Sequence, residues 1–599
     1  MPTVSEVVIR KLESLGIKHI FFLPGGGCMY LVDALAQSKE IEGVALLHEQ
    51  SVGIAAEAYA QFSNSLTVCL VTTGPGVTNI LTPCAAAWTD STPMLFISGQ
   101  VKTEDDASAF GVRQLGFQEV PTVDLVSPIT KMAVKLDEAD EIHKILETLV
   151  HAATSGRPGP VWLDIPLDLQ NVEVSDCASA MPISTVEGFK PTTKMLDQFN
   201  ALVESWFQAK RPLLLVGNGV RLADQEQSVR EIMIKTKTPA LLTWKMIDFL
   251  DENDPLNAGR PGAIGQRWSN ILQQEADFIL CLGARMDRGQ VAYRLDNFAP
   301  KALKFICEID ENEIKKLPDT FSSFNIDLST FVSMVNPLIN ERHPWGNDFN
   351  SWFKVLRELK SLFPLGPSHQ VEKYDGINLY DFVSELSLAL NKDDILVPGS
   401  SGACSEVVMQ AFKVKRGQRV LNSEGLGPMG FGLPASIGVA LASKSRVVSV
   451  DGDGGFLMNI QELVTVAHRN LPLLIFVLNN NGYGSIKSTQ KVHFAGRLFG
   501  TDPSSGLGLP DWSNLIRGNE LNFTKVDNVT SLVNLLSQLS EIELPCVVEV
   551  IVDKNQVTEP RVATRKGLTG RLTSDDMKDM TPALSPDLAE KVHMILHTK

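Results

Sequence analysis

Two polar loops framed by glycine carry the chemistry most openly written in the sequence. Val450-Asp451-Gly452-Asp453-Gly454-Gly455 follows an apolar run at 446–450, and Asn479-Asn480-Asn481-Gly482-Tyr483-Gly484 follows a second at 473–478. Between them, 458–469 has helical periodicity, so the segment reads strand, helix, strand. In such a βαβ unit both loops leave at the same carboxyl edge, where open α/β sheets take their ligands. Glycines let backbone N–H groups approach a diphosphate, and a helix N-terminus adds a favourable dipole. Asp453 and Asn480 offer hard oxygens of the kind Mg²⁺ accepts beside phosphate oxygens. Singly, Asp-Gly and Asn-Gly are ordinary turn formers; one strand and one helix apart, they predict a metal–diphosphate site. No Gly-x-x-x-x-Gly-Lys-Ser/Thr occurs, which excludes a P-loop nucleotidase.

The elements that must position these loops recur three times along the chain. Residues 1–168 run Phe21-Phe22-Leu23 into Pro24-Gly25-Gly26-Gly27 and Val68-Cys69-Leu70-Val71 into Thr72-Thr73-Gly74-Pro75-Gly76, with further runs at 94–97 and 161–163. Residues 193–345 run Pro212-Leu213-Leu214-Leu215-Val216 into Gly217-Asn218-Gly219 and Phe278-Ile279-Leu280-Cys281-Leu282 into Gly283-Ala284-Arg285, with another run at 305–309 ending at Asp310. Residues 377–553 hold the two polar loops and strand-like runs at 395–397, 446–450, 473–478 and 547–551. Short buried strands alternating with helices predict parallel sheets covered on both faces. The expected fold is α/β: three consecutive doubly wound parallel-sheet domains. A Ser-, Thr- and Pro-rich stretch at 169–192 reads as a linker, 343–376 as a crossing segment with helical content, and 554–599 as a tail, either a clasp or a solvated extension.

Composition narrows the function classes. The 599 residues are 44 % hydrophobic and 21 % charged, close to the soluble globular average, which excludes disordered and fibrous chains. The net charge of −16, with no basic block, argues against nucleic-acid or anionic-membrane partners. The longest apolar stretch, 471–478, is strand-sized and too short to span a bilayer. Eight scattered cysteines without a Cys-x-x-Cys read as small core residues in a reducing compartment, and no basic and apolar leader opens the chain. A cytoplasmic enzyme is the expectation.

Gly452-Asp453-Gly454, followed by Asn459, Glu462-Leu463 and Asn479-Asn480, resembles the diphosphate motif of thiamine-diphosphate enzymes. Leu47-His48-Glu49-Gln50, Thr73-Gly74-Pro75-Gly76-Val77-Thr78-Asn79, Phe117-Gln118-Glu119, Gly156-Arg157-Pro158-Gly159-Pro160, Gly283-Ala284-Arg285 and Gly425-Leu426-Gly427-Pro428-Met429-Gly430-Phe431-Gly432 resemble, in the same order, the acetolactate synthase large subunit over nearly the whole chain. The resemblance implies a pyrimidine-binding, a central Rossmann-like and a diphosphate-binding domain. It implies thiamine diphosphate with Mg²⁺ held by Asp453, Asn480 and the Gly482 carbonyl, and cofactor contacts at Gly74, Asn79, Ser400, Ser401, Gly427, Met429, Gly452, Gly454, Gly455 and Gly484. Arg285 matches an FAD-binding region, but several relatives keep that domain without flavin, so FAD stays open.

Taken alone, Glu49 is a carboxylate before a helix expected near Val52, a favourable macrodipole partner. The resemblance places it against N1′ of the aminopyrimidine, where a shared proton promotes the tautomer that deprotonates C2. By the same analogy the Gly427 carbonyl accepts from the 4′-amino group and Met429 wedges the bent cofactor. Gly26 and Gly27, with Gly25, read equally as a plain strand-to-helix turn or as room for an acceptor near C2, and Phe117 and Gln118 match positions that line the substrate channel in acetolactate synthases.

The implied reaction is decarboxylation of a 2-keto acid such as pyruvate, with acyl transfer to an acceptor carbonyl. Two departures keep the acceptor open. The position that holds a Trp in acetolactate synthases is Thr489, and the loop 398–403 reads Pro-Gly-Ser-Ser-Gly-Ala rather than a Gly-Gln-His type. A second pyruvate, or a keto-sugar nucleotide or other ketone, is therefore in view; a 2-keto acid or acyl-CoA decarboxylase or lyase, and a non-catalytic cofactor binder, are weaker readings. The adjacent His pair of pyruvate decarboxylases is missing. The resemblance also implies a homodimer or homotetramer with sites between subunits, and leaves room for a regulatory subunit.

Overall fold

The computed structural model describes residues 1–175, 191–342, 345, 349–365, 375–400, 402–566, 570 and 572–597. Three parallel sheets form along the chain. The first, ordered β2-β1-β3-β4-β6-β5, comprises β1 (His19–Phe22), β2 (Glu42–Ala45), β3 (Thr67–Val71), β4 (Met94–Gln100), β5 (Met132–Lys135) and β6 (Pro160–Pro166). The second, ordered β11-β10-β9-β7-β8, comprises β7 (Pro212–Val216), β8 (Ala240–Leu242), β9 (Phe278–Leu282), β10 (Leu303–Cys307) and β11 (Phe321–Phe324). The third, ordered β12-β13-β14-β16-β15, comprises β12 (Ile395–Pro398), β13 (Val447–Gly452), β14 (Leu473–Asn479), β15 (Asn522–Val526) and β16 (Cys546–Ile551). Inner strands such as β7 and β9 are apolar along their length because helices cover both faces, with Asp164 in β6, Asp451 in β13 and Glu549 in β16 as buried polar exceptions. The seven described cysteines are all buried, as expected of small core residues.

Two boundaries differ from the periodicity reading. The 458–469 helix is broken: a helical turn Asp453–Phe456 starts directly after β13, a 3₁₀ turn Leu457–Asn459 follows, and the helix proper is Glu462–His468. Asp453 therefore sits at a helix start rather than in a free loop. The strand read at 305–309 is Leu303–Cys307, because Asp310 caps the next helix through the Asn312 N–H. The 169–192 linker and much of 343–376 lie outside the described residues, although a helix Asn350–Leu362 does form in the latter.

The first and third domains share one continuous hydrophobic core, from Phe21 and Ile54 to Ile437 and Val477. Helix Glu49–Ser63 packs along helix Gly432–Ser443 so closely that a Cβ on Gly438 would lie 1.9 Å from the Ala55 carbonyl oxygen. The tail is a clasp. It leaves the third sheet, passes the loop of Asn480, and returns to the central domain, where Arg267 donates to the Met580 and Pro582 carbonyls and Asn270 to that of Met577. Its last helix, Pro586–His597, adds Val592, Ile595 and Leu596 to the central core.

Candidate functional site

β13 and β14 are neighbours with Gly452 opposite Leu478, so the residues after them, Asp453 and Asn480, emerge side by side. The Asp453 carboxylate accepts from the Gly454 and Gly482 N–H groups, both at 2.8 Å, tying the two loops together. Burial pushes its pKa up to about 6 against the pull of those N–H groups. Asn480 Oδ1 is buried without a hydrogen-bond partner. Two close backbone approaches need glycine. A Cβ on Gly454 would strike the Tyr483 ring at 2.3 Å, and one on Gly482, at φ +126°, would lie 2.1 Å from the Thr501 carbonyl. Among the described residues no three His, Cys, Asp or Glu side chains cluster as metal ligands. A divalent ion at this edge thus needs one carboxylate, an amide oxygen and backbone or phosphate oxygens, the donor set Mg²⁺ favours. Asp453 and Asn480 supply the first two.

Other calls gather around this edge. Ser400 Oγ donates to the Pro428 carbonyl, joining the loop after β12 to the segment of Gly427, at φ +62°, and half-buried Met429. A Cβ on Gly484 would meet Asn480 Nδ2 at 2.4 Å, and one on Gly455 would meet Asp451 Oδ1 at 2.8 Å. Ser401 lies outside the described residues. Two residues passed over in the sequence also belong here. Asp451 is wholly buried, its pKa pushed up to about 7 by desolvation, with Oδ2 unpartnered. Lys487 donates to the Asn480 and Asn481 carbonyls at 3.0 and 3.2 Å, bracing the loop from the following helix. Only its position in the first turns after Gly484 could have signalled it.

The first domain contributes a second set. Helix Glu49–Ser63 begins at Glu49 itself, capped by His48 Nδ1, which accepts from the Gln50 N–H, rather than near Val52. Glu49 is buried and accepts from Asn79 Nδ2 at 3.0 Å. Gly74, at φ +65°, comes so near Gln118 that a Cβ would lie 2.2 Å from the Gln118 carbonyl, and Gln118 is itself at φ +63°. Phe117 is 85 % exposed beside it. Gly26 faces open space, whereas Gly27 is crowded by Thr72 and Thr73. Glu119 was not singled out, yet its carboxylate accepts from the Ala107, Leu115 and Gly116 N–H groups and so shapes the Phe117–Gln118 loop.

The first and third domains meet through Ser51 Oγ donating to Asn459 Oδ1 and the Leu47 N–H donating to Glu462, both at 3.1 Å. Among the described residues no hydrogen bond or ion pair joins Glu49 or Asn79 to the loops of Asp453 and Asn480.

A cavity of about 320 Å³ opens at the carboxyl ends of β7, β9 and β10. Gly217 and Gly283 let two strand-end turns abut there, a Cβ on Gly217 lying 2.3 Å from the Gly283 carbonyl. Arg285 lines the cavity and donates to the Thr89 carbonyl at 2.7 Å. At the cavity's inner side Lys245 donates to Asp90, Gln61 and the Asn422 carbonyl, joining all three domains. Wholly buried Glu57 lies behind, with Oε2 unpartnered; burial and the neighbouring Asp90 carboxylate raise its pKa from 4.5. A carboxyl that holds its proton more tightly folded than unfolded stabilises the protein below its ordinary value, and that stability is lost as pH rises through the folded value. The melting temperature should therefore fall as pH climbs from 4.5 towards neutrality, and Glu57→Gln should flatten that slope in thermal scans across pH; an unchanged slope would remove Glu57 as its cause.

The chain matches the thiamine pyrophosphate enzyme family in three parts: the N-terminal TPP binding domain over residues 2–126, the central domain over 200–332 and the C-terminal TPP binding domain over 400–550. It is 31 % identical over 571 residues to acetolactate synthase 1, chloroplastic, of Zea mays, covering 93 % of this chain and 86 % of that one. It is 30 % identical over 568 residues to the acetolactate synthase isozyme 1 large subunit of Escherichia coli (strain K12), covering 94 % and 96 %. The solved structure of a thiamine diphosphate-dependent 4-hydroxybenzoylformate decarboxylase from Rhodococcus jostii RHA1 superposes with a TM-score of 0.76 at 21 % identity, over 93 % of this chain and all of that one, which establishes the shared fold. Among the described residues no helix is long and apolar enough to cross a membrane.

Proposed function

The chain belongs to the thiamine pyrophosphate enzymes, related to acetolactate synthases, and from that premise we propose that it decarboxylates a 2-keto acid, with pyruvate as donor, and transfers the acyl group to an acceptor carbonyl. The observation that carries this reading is the buried Asp453 carboxylate clamped between two loops, next to a buried Asn480 oxygen that has no partner. Such a pair fits Mg²⁺ and a diphosphate. Asp453, Asn480 and the Gly482 carbonyl would hold the ion, and Gly452, Gly454, Gly455, Gly484, Ser400 and Ser401 would receive the diphosphate.

When bound, thiamine diphosphate supplies a carbon nucleophile and an electron sink. The protein's own part is proton handling and orientation. Glu49 would hold a proton against N1′ of the aminopyrimidine, and the 3.0 Å hydrogen bond from Asn79 fixes the carboxylate for that task. Gly74 and the Gly427 carbonyl would flank the pyrimidine, Met429 would sit beneath the bend, and Gly26, Gly27, Phe117 and Gln118 would border the reacting carbon.

Because no hydrogen bond or ion pair joins Glu49 to Asp453 among the described residues of one chain, the proposed unit is a homodimer, or a homotetramer of such dimers, in which one copy's Glu49 meets the other's Asp453. Large exposed apolar side chains lie near both sets, Phe117 in the first domain and Phe499, 83 % exposed, in the third. Where such side chains adjoin in one patch, they mark an interface. The central cavity, with Arg285 in its wall, is the proposed FAD site; a visible flavin spectrum in the purified protein is the expected sign. A cytoplasmic setting and a regulatory subunit belong to the same reading.

Pyruvate consumption by purified protein, with thiamine diphosphate and Mg²⁺, is the direct test, products being identified by mass spectrometry and the assembly by sizing. Carbon–carbon bond formation by a dimer or larger form is expected. Turnover by a monomer would refute the shared site, and no keto-acid consumption with any acceptor would refute the reaction.

A further inference from the structure

The carboxyl end of β4 holds a buried amide that the reaction above does not use. Gln100, 6 % exposed, is the last residue of β4, which runs between β3 and β6. Its Oε1 accepts from the Val101 N–H and from Thr73 Oγ1, both at 2.9 Å. Its Nε2 donates to the Val120 carbonyl and to Thr122 Oγ1 at 3.1 Å, and to Asp164 Oδ2 at 3.0 Å. A backbone N–H on one side and a backbone carbonyl on the other permit a single orientation of the amide.

The support beneath Gln100 is buried and hydrogen-bonded. Asp164, in the neighbouring β6, is 1 % exposed, and its Oδ1 accepts from Ser98 Oγ at 2.5 Å. Ser98 Oγ in turn accepts from Trp162 Nε1 at 2.8 Å. Each member of this chain has its partner, and a satisfied buried network is stiff.

What the amide joins is two turns that meet at the site. Thr73 precedes Gly74, and Val120 lies two residues after Gln118. The turns abut, since a Cβ on Gly74 would lie 2.2 Å from the Gln118 carbonyl. Gln118 has φ +63°, a conformation that a residue with a side chain keeps only where its surroundings impose it. One end of its loop is held by the Glu119 carboxylate, through the Leu115 and Gly116 N–H groups. Gln100 holds the other end, at Val120. The Gln118 side chain itself is exposed.

We propose that Gln100 is a positioning residue for the substrate: by tying Val120 to Thr73 it keeps Gln118 in its left-handed conformation beside Gly74, where the Gln118 amide meets the keto acid. The inference rests on the reading above, in which Gln118 borders the reacting carbon, and adds the residue that places it.

A double-mutant cycle on pyruvate turnover is the test, with the full-length protein loaded with thiamine diphosphate and Mg²⁺. Gln100→Met keeps the length of the side chain without its hydrogen bonds, and should lower kcat/KM about 25-fold, the scale of two such bonds. Thr73→Val is the milder change; it deletes one hydroxyl at constant shape and should lower kcat/KM about 5-fold. Thr73→Ser keeps the hydroxyl and should match the parent. With Gln118→Ala already present, the losses from Gln100→Met and Thr73→Val should each shrink below about 2-fold, because groups that act through one residue are not additive. If Gln100→Met does not fold, the Thr73 pair decides alone. Equal losses with and without Gln118→Ala, or a lowered melting temperature with kcat/KM unchanged, would make Gln100 a purely structural amide and overturn the inference. A parental kcat/KM in Gln118→Ala alone would instead refute the placement of Gln118 beside the reacting carbon, on which the inference stands.

Discussion

Glu49→Gln is expected to lower kcat by about 10²- to 10⁴-fold, the range for removing a general acid–base group, while the protein stays folded and still binds its cofactor. The geometry makes the change local. Glu49 opens a helix that His48 already caps, and its one side-chain hydrogen bond is from Asn79. Gln keeps an oxygen for Asn79 and the same volume, so neither helix nor packing should respond. What it cannot do is carry a proton to and from N1′. The decisive readout is the C2 proton exchange rate, measured before any substrate is added. A normal rate in Glu49→Gln would show that the carboxylate plays no part in activation.

Asp453→Asn is the second large effect, and it splits stability from function. Asp453 is 1 % exposed and makes no ion pair among the described residues, so burial costs its charged form and raises its pKa. Removing that charge relieves its desolvation, but the new amide leaves one of the Gly454 and Gly482 N–H groups without an acceptor. The two effects oppose, so the ligand-free protein should shift little. The gain on adding Mg²⁺ with thiamine diphosphate should nearly vanish. Partners one shell outside a metal already change affinity by about 10- to 100-fold, and a direct ligand should matter at least as much. At a ligand concentration 100 times the parent's Kd, binding adds about 2.7 kcal/mol to the parent; a 100-fold weaker variant gains about 0.4 kcal/mol. Thermal scans with and without ligand resolve that gap. An undiminished shift in Asp453→Asn would place the metal elsewhere.

The inner strands were legible because a strand covered on both faces must be apolar throughout, and β3, β7, β9 and β14 are. Five strands escaped a direct reading: β2, β5, β8, β11 and β15, and every one is at a sheet edge. An edge strand such as β5, half-buried along its length, or β15, Asn522-Phe523-Thr524-Lys525-Val526, has one flank in water and no uniform pattern. Apolar β12 is the edge strand that was read. The two polar loops were equally legible as turns, since their glycines are demanded by close approaches, of Gly454 to the Tyr483 ring and of Gly482 to the Thr501 carbonyl. Glu119 and Lys487 were not. Each is an ordinary charged residue in its own segment, and what singles it out is a set of backbone N–H groups or loop carbonyls brought near by the fold.

The seam at Gly438 and Ala55 bears on how such an enzyme could shut out water. With a carbonyl oxygen where any side chain at Gly438 would begin, the two helices touch backbone to backbone, and one domain cannot rotate over the other without breaking that fit. Within one copy the frames that carry Glu49 and Asp453 therefore behave as a single rigid body, and a site shared between copies is built from two such bodies. Opening and closing over a substrate falls to lighter parts: the loop braced by Glu119, the segment after Gly484, and the irregular stretch of tail before Arg561. Slow steps in turnover should follow the stiffness of those three segments rather than any hinge between domains.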